Sequence, residues 1–78
     1  MESENNISNV GEYLITDLYI GARRDFILGY ARGYKKWNNG TTEWATWEYN
    51  KRKDNYYSGH YMMTEEESLE DFKKRIGF

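Results

Sequence analysis

The chain contains no cysteine and no proline, and it has a single histidine. It also lacks any apolar run approaching the roughly 18 residues that span a membrane. The missing cysteine rules out a disulfide framework and a zinc–thiolate site, and it fits a reducing compartment. The segment Met1 to Asn9 is acidic and polar, unlike a signal peptide, so a cytoplasmic protein with no membrane partner is expected. A lone histidine supplies neither the oriented partner nor the nucleophile that general-base chemistry requires. His60 therefore reads as a sheet residue with its ring in water, even with Ser58 and Glu48 placed near it. Gly29 and Gly33, in Gly-Tyr-Ala-Arg-Gly, fit neither nucleotide-binding fingerprint. A non-enzymatic protein without metal or cofactor is the expectation.

What the chain does have is rings. Tyr, Trp and Phe number 8, 3 and 3 among 78 residues, and most lie between Tyr30 and Tyr61. A single domain of this length has a marginal core with few aliphatic side chains on offer, so aromatics must supply much of the buried apolar area. At this size a homodimer is a common source of added stability. The net charge of −2 conceals a segregation: residues 1 to 19 carry −4, residues 20 to 63 carry +4, and residues 64 to 78 carry −2. The basic middle contains Arg23, Arg24, Arg32, Lys51, Arg52 and Lys53, which are candidates for meeting phosphates. A pI near 5.4 is far from the basic footprint of a dedicated nucleic-acid binder.

Asn39-Gly40 is the strongest local signal, because a two-residue type I′ hairpin needs positive φ at both central positions. That turn places Lys36 opposite Glu43, Tyr34 opposite Ala45, Arg32 opposite Trp47 and Tyr30 opposite Tyr49. Alternation then sorts the side chains. One face carries Tyr30, Arg32, Tyr34, Ala45, Trp47 and Tyr49, and it is the better core. The other carries Ile27, Gly29, Ala31, Lys35, Trp37, Trp44, Thr46 and Glu48. A second hairpin through Asn50 to Asn55 pairs Tyr49 with Tyr57 and puts Gly59 opposite Trp47. Residues 12 to 20 satisfy both the strand and the helix template, and a strand is preferred.

Thr64 followed by Glu65, Glu66 and Glu67 is a capping box. Acids fill the first turn of this helix and Lys73, Lys74 and Arg75 the last, with Gly77 beyond the end. Leu69, Phe72 and Ile76 form its apolar stripe. The cluster of acids is explained by capping, without a metal. The expected architecture is α+β: a flexible acidic N-terminus over residues 1–11, then one β-β-β-β-α domain over 12–78. In it, a four-stranded antiparallel meander is covered on one face by a C-terminal helix.

One short helix covers one face of such a sheet, which leaves Trp37, Trp44 and Met62 without cover, rimmed by Lys35, Glu48 and His60. An apolar patch with a polar rim is the pattern of a protein-contact surface. Trp37 and Trp44 are the expected anchors, with a homodimer seam as the alternative use of this face.

The run Trp44-Ala45-Thr46-Trp47-Glu48-Tyr49, a polar turn, Tyr56-Tyr57-Ser58-Gly59-His60-Tyr61 and an acidic helix ending Leu69-Glu70-Asp71-Phe72-Lys73-Lys74-Arg75 resembles small proteins of Gram-positive phages and mobile elements. The resemblance covers roughly residues 42 to 76 and rests on pattern rather than on a defined functional motif. It implies an anti-defence protein of the anti-CRISPR type, acting in the host cell. Such a protein blocks a host defence factor, for example a CRISPR effector, or sequesters a signalling nucleotide as an oligomeric sponge. For the second mode, Arg32, Lys35 or Arg23-Arg24 would meet the phosphates while tyrosines stack on bases. A small nucleic-acid-binding protein using Arg23-Arg24 and Lys51 to Lys53 is a further alternative.

Overall fold

Four long strands in sequence order, each antiparallel to the next, carry one helix on one face. This is the expected α+β meander. The computed structural model describes residues 9–21 and 28–77. The strands are β1 (Asn9–Val10), β2 (Tyr13–Ile20), β3 (Leu28–Lys36), β4 (Thr42–Asn50) and β5 (Asn55–Met63), followed by α1 (Glu65–Ile76). The ambiguous segment near residue 12 is thus a strand. The expected domain boundary at residue 12 falls inside a hairpin. Asn9 and Val10 pair with Leu14 and Tyr13 across Gly11, whose φ is +60°, and Val10 packs on the core. The polar composition of the N-terminus hid this two-residue strand.

The Asn39-Gly40 turn exists in a different form from the one expected. Trp37 N–H donates to the Thr41 carbonyl at 2.8 Å, and Gly40 N–H donates to the Trp37 carbonyl at 2.9 Å. Three residues, Asn38, Asn39 and Gly40, therefore form the loop, and only Gly40 has positive φ (92°). This is the three-residue hairpin with a left-handed bulge glycine. Asn39 uses its side chain, with Oδ1 accepting from Thr41 N–H at 3.0 Å and from the Thr41 hydroxyl at 2.7 Å. The extra loop residue slips the pairing by one place: Lys35 faces Glu43, Tyr34 faces Trp44, Arg32 faces Thr46 and Ala31 faces Trp47. A slip of one residue in a period-two element inverts β4 relative to β3. The expected cross-strand pairs and the expected faces are corrected accordingly.

The β4–β5 pairing is also offset. Tyr49 faces Tyr56 rather than Tyr57, and β5 carries two bulges, at Ser58 (φ 54°) and Met62 (φ 63°). Each bulge is held by a charged side chain. Arg75 Nη2 donates to the Ser58 carbonyl at 2.7 Å, and Glu43 Oε2 accepts from Met62 N–H at 3.1 Å. The ring that covers Gly59 belongs to Tyr61, not to Trp47, because a Cβ on Gly59 would fall within it.

Ala31, Ala45 and Trp47 form a core on the sheet face away from the helix, with Val10, Tyr13, Ile15 and Tyr56 packed against them. Trp47, on the face expected to be the core under the helix, and Phe72, on the helix stripe, thus lie on opposite sides of the sheet. The sheet curves around Trp47. Tyr13 on β2 sits edge-on to the Trp47 ring at 5.2 Å between centroids and lies 5.8 Å from Tyr61 on β5. Close approach of β2 requires glycine at two places in β3, since a Cβ on Gly29 or Gly33 would strike the backbone carbonyl of Tyr19 or Leu14.

The helix begins and ends as its sequence dictates. Thr64 and Glu67 complete a reciprocal capping box, and Gly77 closes the other end at φ 106° with its N–H on the Lys73 carbonyl. Its buried stripe differs from expectation: Ser68 is 0% exposed and Phe72 is buried, whereas Leu69 is 38% exposed. The helix is rotated toward polar partners. Arg32 Nη1 donates to Ser68 Oγ at 3.0 Å, and Ser68 Oγ donates to the Glu65 carbonyl at 2.7 Å. The Thr46 hydroxyl donates to Asp71 and accepts from Arg75 Nε at 2.9 Å.

Gly40→Val is expected to destabilise the domain by about 1–3 kcal/mol, because a β-branched residue resists positive φ while nothing crowds the site. An unchanged denaturation midpoint would refute the turn. Ser68→Ala should cost about 1–3 kcal/mol by leaving Arg32 short of an acceptor, and Leu69→Ala less. Urea titrations showing the reverse order would mean that the apolar stripe docks the helix.

Candidate functional site

The six residues expected on one contact surface divide between the two faces. Trp44, Glu48 and His60 occupy the helix side. Trp44 is half-buried, with the Arg32 guanidinium 4.5 Å over its ring and Tyr34 at 5.1 Å between centroids. Glu48 lies 4.0 Å from Arg75 Nη1, and His60 Nδ1 is 2.9 Å from Asp71 Oδ2. The reason is the register slip described above, which turns the Trp44–Thr46–Glu48 side of β4 toward α1. Trp37, Lys35 and Met62 remain together, at the β3–β4 hairpin end on the open face.

Glu43 organises this end. It is buried, yet it accepts from the Tyr13 hydroxyl at 2.7 Å, from Trp37 Nε1 at 3.0 Å and from Met62 N–H at 3.1 Å. A carboxylate withdrawn from water is costly unless its lone pairs are used, and here three donors from three elements use them. Burial pushes the Glu43 pKa up, but the hydrogen bonds from Tyr13, Met62 and Trp37, with Lys35 nearby, hold it below the usual carboxylate value. The same contact works in the opposite sense on Tyr13, whose phenol is raised by burial and by the adjacent carboxylate.

Above this anchor lies a run of rings. Lys35 Nζ sits 3.9 Å over the Trp37 ring and 5.7 Å from that of Tyr13, and it pairs with Glu12 at 3.1 Å. Tyr61 continues the run, its hydroxyl accepting from Trp47 Nε1 at 2.9 Å. Trp37 is 46% exposed, Tyr61 48% and Met62 81%. A shallow groove of about 280 Å³ runs beside them, lined by Trp37, Glu43, Met62, Met63 and Thr64 among others. Polar atoms of these residues are tied inward while apolar surface faces out.

Tyr13, Glu43 and Tyr61 were missed by sequence reasoning. Tyr61 reads as core by alternation, and the bulge at Met62 spoils the alternation on which that reading depends. Glu43 reads as the surface partner of Lys36. A carboxylate between Thr42 and Trp44 in a β-rich run was the available signal.

Arg32, expected as a candidate phosphate ligand, is engaged within the fold. Its Nε pairs with Asp17 at 2.8 Å, its Nη1 bonds Ser68 and the Glu65 carbonyl, and its face covers Trp44, so its charge is spent internally. Lys51, Arg52 and Lys53 are exposed in the β4–β5 turn. Arg23 and Arg24 lie outside the described residues. Among the described residues no group of three or more His, Cys, Asp or Glu gathers as a metal site would, and no helix is long and apolar enough to cross a membrane. The chain matches no family model, no curated protein and no solved structure.

The carboxylates make stability acid-sensitive. Asp71, like Glu43, is opposed by burial but brought below its ordinary value by Thr46, His60 and Arg75. Folded-state pKa values below those of the unfolded chain stabilise the fold fully above about pH 4.5, and this contribution declines as protons reach the folded carboxylates at lower pH. Urea midpoints should therefore fall between pH 5 and 3, and Asp71→Asn should flatten the profile. An Asp71→Asn profile as steep as that of the parent would contradict the assignment.

Proposed function

We propose that this chain is a non-enzymatic inhibitor that binds a host defence protein and occludes it through the open sheet face at the β3–β4 hairpin end. The supporting observation is the exposed Trp37 ring and the Met62 backbone held by the buried Glu43, beside the exposed Tyr61 ring. Trp37, Tyr13 and Met62 are all tied to Glu43, and Tyr61 is tied to Trp47. Binding costs less when contact groups are already immobilised, and ring systems on a rigid sheet lose little further rotamer freedom. Aromatic anchors commonly dominate interface energy. The resemblance to small phage and mobile-element proteins supplies the anti-defence direction. Trp37 is retained as anchor with Met62 beside it; Tyr61 replaces Trp44.

Affinity capture from a phage-susceptible host, followed by calorimetry with the captured protein, tests this reading. Trp37→Ala and Tyr61→Ala should each weaken binding by about 2 kcal/mol, roughly thirtyfold, with native circular dichroism retained. Trp44→Ala should alter stability more than affinity. Sedimentation showing a dimer that Trp37→Ala converts to monomer would assign the face to a second copy of the chain instead.

A further inference from the structure

The fold redistributes charge in a way that the linear sequence conceals. The helix starts beside the β3–β4 hairpin and runs back along the sheet, so that Arg75 reaches Glu48 and Ser58 near the opposite end. Its basic last turn therefore arrives at the end of the sheet that carries the Lys51-Arg52-Lys53 turn. The acids of its first turn stay at the other end. Cations also sort by partnership. Arg32, Lys35 and Arg75 are engaged with Asp17, Glu12 and Asp71. Among the described residues, the side chains of Lys51, Arg52, Lys53, Lys73 and Lys74 make no ion pair or hydrogen bond, and at the hairpin end the same holds of Lys36 alone.

Asp54, Glu48 and Asp71, close to that end, are already engaged, while Glu70, one turn before Lys74, is exposed. Asp54, at φ 54°, accepts from the Tyr49 hydroxyl at 2.8 Å, and Tyr49, raised by burial and by Asp54, titrates only at about 12. Glu48 and Asp71 face Arg75. The turn itself is shaped, with Asn50 Oδ1 accepting from Lys53 N–H at 3.0 Å. Beside it, Tyr57 pairs with Glu48 in register, which puts its ring on the helix side of edge strand β5. The ring is 38% exposed and has no hydrogen-bond or ring partner among the described residues.

We infer that this end, formed by Lys51, Arg52, Lys53, Lys73, Lys74 and Tyr57, binds single-stranded nucleic acid. Unpartnered cations around an exposed ring are the combination that tracks a phosphate backbone while stacking a base. The turn Asn50 to Asn55 presents no apolar side chain to insert into a bilayer. Among the described residues, the grooves beside Leu69 and Trp37 lie at the other end. This site is separate from the occluding face.

The test is fluorescence anisotropy of a labelled oligothymidylate with the full chain across a salt series. Binding should weaken with salt at a log–log slope between about −2 and −3.5, as expected for three to five phosphates on a single strand. Combined Lys51→Glu, Arg52→Glu and Lys53→Glu should lower affinity at least tenfold and flatten that slope. Tyr57→Ala should lower it several-fold with the slope unchanged. All these positions are exposed, and circular dichroism checks that the variants fold. No binding at low salt would overturn the inference. So would binding that ignores the triple variant, or that polyglutamate, anionic vesicles or duplex DNA match without sensitivity to Tyr57→Ala.

Discussion

Arg32 enters the space between sheet and helix with its charge intact, and most of the helix-side architecture follows from satisfying it. Asp17 on β2, Ser68 and the Glu65 carbonyl on α1, and the face of Trp44 on β4 each take part. A buried guanidinium left without its carboxylate would be costly by several kcal/mol, whereas the completed set ties three strands and the helix in one relative position. The rotation of α1 toward Ser68 and away from Leu69 is the visible consequence. The neighbouring Thr46–Asp71–Arg75 contacts extend the same principle along the helix, and through Arg75 they reach the bulge at Ser58.

Glu43 plays the corresponding part on the open face. There the donors are a phenol, an indole and a bulge amide, and the result is an exposed aromatic surface with little freedom to rearrange. The two sides of the sheet are thus organised by opposite charges, Arg32 on one and Glu43 on the other. Both are placed by the same β3–β4 register. That register makes the length of the hairpin loop decide the faces: one residue fewer in it would exchange the faces of β4 and take Glu43 away from Trp37.

The molecule also separates two kinds of surface. Apolar rings and the acids of the first helical turn collect at the hairpin end, while most of the unpartnered cations collect toward the β4–β5 turn. The proposed contact face and the proposed nucleic-acid end therefore draw on different residues.

Local rules were enough for several features. The capping box at Thr64, the glycine stop at Gly77, the four long strands and the turn at Gly40 are set by interactions within a few residues, so the sequence by itself determined them. Which residues share a face depended on the loop having three residues rather than two, and Asn-Gly is compatible with both. Trp37 could be identified as exposed because it borders the turn. Trp44, Glu48 and His60 were misplaced because a single-residue slip reverses every side chain of β4. The bulges at Ser58 and Met62, the burial of Ser68 and the convergence of Tyr13, Trp37 and Met62 on Glu43 were decided only in the tertiary structure. Each satisfies a charged or polar group from a distant element, and a demand of that kind leaves no periodic trace in the sequence.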